Sequence, residues 1–178
     1  MAWGISTPSA EALGSRENPN VYPWSAGIPE HSKDEFIILP WNDIELVKKT
    51  LAERHNEIAA IITEPIMCNN GCIMPEEGFH AGLRSLCDQY GIALIFDEVI
   101  TGFRMSIGGS QQYFGITPDM SIFAKAMGSG YPISAIVGKR EWMGLIEEAK
   151  VIHAGTMNSS NPTIAAALAT IEVLEQEN

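Results

Sequence analysis

Two residues stand where an apolar strand would deliver them to a crevice. The run Leu94-Ile95-Phe96-Asp97-Glu98 closes a hydrophobic segment on an acidic pair, and a carboxylate leaving the carboxyl end of a buried strand faces the place where open α/β sheets bind ligands. Farther on, Phe123-Ala124-Lys125 closes a second apolar segment on an amine and leads into Ala126-Met127-Gly128-Ser129-Gly130-Tyr131-Pro132, whose glycines allow a tight turn beside whatever the lysine holds. Desolvation against apolar walls lowers a lysine pKa and frees an amine that traps carbonyls. An amine and a carboxylate used together in this way belong to pyridoxal-phosphate chemistry: the lysine forms a Schiff base with the aldehyde, and the carboxylate keeps the pyridine nitrogen protonated.

Other chemistries fit less well. A strand ending in Asp-Glu is also the Walker B pattern, but no GxxxxGK[ST] loop accompanies it, because Gly138-Lys139 has Ile133 where the first glycine should stand and Arg140 after it. A receiver-like phospho-acceptor site would need a separate acidic pair after an earlier strand, and Glu64-Pro65 supplies one carboxylate. His31, His55 and His153 are scattered, and no GxSxG elbow supports a hydrolase. Cys68 and Cys72 lie near His80 but lack the second cysteine unit of a structural zinc site, so they are read as buried or loop thiols and no metal is expected. Simpler roles stand beside the chemical ones: Asp97 capping a turn or pairing with Arg104, Lys125 as a surface lysine, Thr156 turning a loop.

The elements that must position these groups follow from periodicity. Residues 1–34, punctuated by Pro8, Gly14, Pro19, Pro23, Gly27 and Pro29, read as an irregular lead-in. Asn42 followed by Glu45 is a capping-box arrangement that predicts a helix carrying Ile44, Val47 and Leu51 on one face. An apolar, β-branched run at 58–63 predicts a strand stopped by Pro65, with a loop over 67–75. Phe79, Leu83, Leu86 and Tyr90 mark one face of a helix that should end at Gly91. Strands are predicted at 92–96, 120–124 and 133–137, with helices over 140–148 and from Asn161, which is expected to cap Pro162 and bury Ile164, Leu168 and Ile171. Apolar strands linked by helices indicate an α/β fold, a three-layer α/β/α sandwich around a mostly parallel sheet.

Composition supports a folded, globular reading. The 178 residues are 46% hydrophobic and 19% charged, outside the regime of disordered chains. With 11 Lys and Arg against 22 Asp and Glu, the net charge of −11 disfavours nucleic acid and suits a small diffusible substrate. Three cysteines imply no disulfide framework, so a cytoplasmic location is expected. No apolar run reaches the ~20 residues of a membrane span, and the first residues are not expected to be a signal peptide.

Phe96-Asp97-Glu98-Val99, Thr101-Gly102-Phe103-Arg104, Tyr113-Phe114-Gly115, Pro118-Asp119, Lys125 and the stretch from Gly128 to Pro132 together resemble the class III pyridoxal-phosphate aminotransferases. Gly108-Gly109-Ser110-Gln111 before Tyr113 is similar to the glutamate-1-semialdehyde aminomutase branch. The resemblance runs from about Gly27 to the C-terminus. It implies pyridoxal-phosphate transferase fold type I and amino-group transfer on a small amino acid or amine, between a donor and a carbonyl acceptor in a homodimer. Lys125 matches the Schiff-base lysine, Asp97 the partner of the pyridine nitrogen, and Val99 a residue packed on the ring. Gly155-Thr156 matches the segment whose threonine binds the phosphate of the neighbouring subunit's cofactor, and Glu64 an acidic residue near the site. Complete members are more than twice as long, so residues 35–178 are expected to be the middle of the large domain. The upstream phosphate-holding segment, the stacking aromatic residue and the C-terminal small domain would then lie elsewhere. The readings left open are a transaminase, an intramolecular aminomutase, and a catalytically inactive fragment of such an enzyme.

Overall fold

A computed structural model of the protein describes residues 14–21 and 25–177. The chain divides into two compact units, one up to His55 and the other from Asn56. Of the lead-in, residues 1–13 and 22–24, with Pro8 and Pro23, lie outside the described residues. Its described part holds an isolated bridge between Gly14 and Pro19 and a 3-10 turn, Glu30–Glu35.

The first unit closes with helix α1, Ile44–Arg54, which buries Leu46, Val47 and Leu51. Its cap is Asp43 rather than the expected Asn42. The Asp43 carboxylate accepts the Leu46 backbone N–H at 3.1 Å and an Arg16 guanidinium N–H at 2.8 Å. A charged acceptor at the helix N-terminus satisfies a free N–H and complements the helix dipole. Asn42 instead takes a left-handed φ of 64°.

The second unit is built on a four-stranded sheet: β1 (Ala60–Thr63), β2 (Ala93–Glu98), β3 (Met120–Phe123) and β4 (Ala135–Gly138), side by side in that order. The first three strands are parallel and β4 is antiparallel to β3. The segment 124–134 is too short for the dozen or more residues that a parallel crossover needs, which accounts for the reversal. Helix α2 (Phe79–Tyr90) joins β1 to β2, and the short α3 (Gly109–Phe114) lies between β2 and β3. Right-handed crossovers set both on one face of the sheet.

Helix α2 follows its sequence pattern. Phe79, Leu83 and Leu86 are buried, and the helix stops at Gly91, whose φ of 68° lets its N–H return to the Cys87 carbonyl. Strand β2 alternates as a central strand should: Leu94, Phe96 and Glu98 are all 0% exposed. On the other face, Ile62 and Ile136 remain 46% and 50% exposed.

Helices α4 (Arg140–Glu147) and α5 (Asn161–Glu177) complete the unit. The Ser160 carbonyl accepts the first helical bond, from the Ile164 N–H at 3.0 Å, so the cap of α5 falls one residue before Asn161. Its buried face also differs from expectation. Thr163 and Ala167 are buried, while Ile164 and Leu168 are 37% and 63% exposed. Ala167 packs with Phe123 and Met127, flanked by Phe103, Ile133 and Ala135. Small residues let the α5 backbone approach this cluster closely, leaving the larger side chains on the outer stripe.

Candidate active site

Because β1, β2 and β3 are parallel, their carboxyl ends share one edge of the sheet. Three of the expected site residues arise there. Glu64 follows the Thr63↔Phe96 pair, Asp97 is registered with Ile122, and Lys125 lies three residues beyond Ile122. Asp97 points away from the face of Phe96 and Glu98, as the period of two requires, and is half-buried. Its Oδ1 accepts the Val99 backbone N–H at 3.0 Å. This local turn fixes the carboxylate at the strand end.

Lys125 opens the 3-10 turn Lys125–Gly128 with a φ of 44°. A left-handed non-glycine residue costs about 1–3 kcal/mol and persists where surrounding structure imposes it. Phe123, one turn end away, is fixed by the core cluster, and Met127 and Gly128 are buried behind it. The side chain borders a cavity of about 520 Å³ with Phe103, Arg104, Ala126, Ser129, Gly130, Thr170 and Leu174. The expected desolvated amine is not what the described residues supply, since Lys125 is exposed.

The segment from Thr101 to Arg104 is seated by close packing. A Cβ on Gly102 would lie only 2.3 Å from the Phe123 ring and 2.8 Å from the Glu98 carbonyl oxygen. The absence of a side chain lets the loop rest directly on the ends of β2 and β3. Phe103 then meets Phe123 edge-on, with ring centroids 5.5 Å apart. Arg104 at the cavity rim donates to the Ile100 carbonyl.

Glu98 was legible only as the neighbour of Asp97, yet it anchors this loop. Fully buried, it accepts the Ser110 N–H at 2.5 Å, the Gln111 N–H at 3.2 Å and the Thr101 hydroxyl at 3.1 Å. A Cβ on Gly109 would sit 2.5 Å from its Oε2, so the Gly108-Gly109-Ser110 stretch leaves room for the carboxylate. Asp119 is a second buried anchor. It accepts the Leu94 N–H at 2.7 Å, Arg84 at 2.8 Å and Lys139 at 2.6 Å. Burial alone would raise its pKa, but these donors outweigh it and hold the carboxyl below its ordinary range.

At the same strand edge, and beyond it, lie the other expected residues. Glu64 is engaged by its own loop, accepting the Cys68 N–H at 3.1 Å and the Asn69 side chain at 3.0 Å. Gly155 and Thr156 lie in the exposed loop between α4 and α5, and of the expected site residues only Lys125 lines the cavity: Asp97, Val99, Glu64, Gly155 and Thr156 do not. His80 is buried against Phe96 and Phe114, with its Nε2 2.8 Å from the Pro65 carbonyl oxygen.

The model of the class-III aminotransferase family matches residues 10–178. A glutamate-1-semialdehyde 2,1-aminomutase from Methanocaldococcus jannaschii is 47% identical over 163 residues, covering 91% of this chain and 38% of that protein. The fold is similar to that of an omega-transaminase from Sphaerobacter thermophilus, with a TM-score of 0.88 at 33% identity over 96% of this chain and 40% of that one. A transaminase solved with pyridoxal phosphate bound superposes with a TM-score of 0.81 at 25% identity, covering 92% of this chain and 39% of that one. This chain thus spans well under half the length of the proteins it matches. Within that span, the motifs at the carboxyl ends of β2 and β3, the parallel sheet and the matched sequence agree: the chain belongs to the class-III aminotransferase family.

Proposed function

We propose that this chain contributes the lysine and the carboxylate of a pyridoxal-phosphate site for amino-group transfer to or from a small amino acid or amine. The observation that carries the reading is the placement of Asp97 and Lys125 at the carboxyl ends of adjacent parallel strands, with Lys125 on a cavity of about 520 Å³. The donor types suit the cofactor, a primary amine for its aldehyde and a carboxylate for its pyridine nitrogen; Lys125 shares its cavity with the apolar Phe103, Ala126 and Leu174, while Asp97 stands at the neighbouring strand end and is not among the cavity's lining residues. Bound, the cofactor supplies an electron-accepting ring conjugated to the substrate's amino-bearing carbon.

Each residue then has a stated task. The Lys125 Nζ would hold the cofactor's aldehyde end and, as a free amine, would carry a proton to and from the substrate α-carbon. The Asp97 carboxylate, oriented by the Val99 N–H, stabilises a proton on the pyridine nitrogen. The Val99 side chain packs on the ring, with Glu64 near the same strand edge. Gly155 and Thr156, exposed in their loop, serve the phosphate of a second subunit's cofactor, which makes the working form a homodimer.

Titration with pyridoxal phosphate tests the reading. The protein should develop a visible absorbance band that Lys125→Ala abolishes and Asp97→Ala shifts or weakens. A band of unchanged intensity and position in both variants would refute it. A second reading is intramolecular transfer, favoured by the 47% identity to a curated aminomutase against 33% to the omega-transaminase. The two separate in one assay: an aminomutase converts an amino aldehyde without any added keto acid, and a transaminase requires one.

A further inference from the structure

The loop after β1 holds two free thiols, Cys68 partly buried and Cys72 exposed. Just outside them, Met67 and Ile73 exchange both backbone hydrogen bonds, Met67 N–H to Ile73 O at 3.0 Å and Ile73 N–H to Met67 O at 3.4 Å. The ladder ends at this bridge, and the chain turns at once through the 3-10 segment Cys68–Asn70. The next residues inward are Cys68 and Cys72. The chain between them reverses through left-handed Gly71 and Cys72, with φ of 98° and 56°. The two cysteines touch: the Cys72 thiol donates to the Cys68 carbonyl at 3.8 Å. Burial raises the Cys68 pKa, and the neighbouring Cys72 thiol raises it further.

We propose that Cys68 and Cys72 are a redox modification site, closing an intraloop disulfide by exchange with a low-molecular-weight disulfide. The bridge at Met67 and Ile73 draws the two arms of the loop together, and the 3.8 Å contact from the Cys72 thiol to the Cys68 carbonyl sets the two cysteines side by side, the neighbourhood in which a disulfide can close. Cys72, exposed, attacks one sulfur of the external disulfide as a thiolate, and one external thiol leaves. Cys68 then gives up its proton and attacks the Cys72 sulfur, and the second external thiol leaves. Two protein thiols are oxidised to one disulfide, one external disulfide is reduced to two thiols, and the two protein protons end on those products. Cys87 takes no part, being 0% exposed with its thiol pushed up to about 11 by burial. The Cys68 N–H and the Asn69 side chain both bond to Glu64, so ring closure would stiffen the turn that engages this carboxylate at the end of β1.

Peptide mapping after treatment of the native protein with oxidised glutathione tests this. Cleavage after Arg54 and Arg84 places Cys68 and Cys72 in one peptide and Cys87 in the next. The first peptide should lose two hydrogens without retaining glutathione, and dithiothreitol should reverse the change. In Cys68→Ser, glutathione should remain attached to Cys72. A wild-type adduct that never closes, no reaction at either thiol, or a bridge to Cys87 would overturn the proposal.

Discussion

Glu98→Ala should be among the most damaging single substitutions in the second unit. Three donors converge on this fully buried carboxylate: the backbone N–H groups of Ser110 and Gln111 and the Thr101 hydroxyl. The hydroxyl can rotate toward another acceptor, but the two amides are fixed by the backbone. Leaving the buried Ser110 donor unsatisfied costs about 1–3 kcal/mol, the part-buried Gln111 amide adds about 1 kcal/mol, and the one vacated methylene adds about 1 kcal/mol. The expected loss is about 3–5 kcal/mol, a large share of a typical domain stability of about 5–15 kcal/mol. Urea unfolding followed by circular dichroism reads it directly, as a fall in midpoint of about 2 M for a slope near 2 kcal/mol per M. Glu98→Gln keeps one carbonyl acceptor and should lose about 1–3 kcal/mol. A loss below about 1 kcal/mol for Glu98→Ala, with an unchanged slope, would show that the Ser110 and Gln111 amides find other partners and that Glu98 does not anchor the loop.

Asp119→Ala leaves Arg84, Lys139 and the Leu94 N–H without their shared acceptor and should cost about 3 kcal/mol or more in the same assay. The Asp119 pKa is depressed on folding, so its contribution is fully present above its ordinary value of 3.8 and is lost as pH falls through the lower folded value. Asp119→Asn should therefore flatten stability against pH below about pH 4, a slope measurable by unfolding at several acidic pH values. Gly102→Ala drives a Cβ into Phe123 and should cost about 1–3 kcal/mol by thermal melting, with a weaker cofactor band because the cavity wall at Phe103 moves with the loop.

Much of the sheet was readable because its strands and α2 are governed by burial. Phe79, Leu83 and Leu86 have one period and one buried side, and Gly91 ends the helix by a conformation that glycine adopts freely. The face of α5 was misread because Ile164 and Leu168 form an apolar stripe as regular as the buried one. Contact with the cluster at Met127 selected the small side chains, and sequence period carries no information about which stripe meets a partner. The α1 cap was misplaced by one residue because Asn42 and Asp43 both suit a cap, and the Arg16 ion pair that favours Asp43 is distant in sequence. Asp97 and Lys125 were legible by position at strand ends. Glu98 was not, because its partners at Ser110 and Gln111 are backbone amides, which have no sequence signature. The Lys125 turn likewise depends on its 44° φ, a backbone state that the lysine itself does not announce.

In the proposed site the Lys125 amine is the group that takes the cofactor. Incubation of the native protein with pyridoxal phosphate, borohydride reduction to make the linkage permanent, and peptide mapping would locate the modified lysine. Modification is expected at Lys125, at near stoichiometry and ahead of Lys139 and Lys150. Preferential labelling of any other lysine, or uniform labelling of all of them, would contradict it.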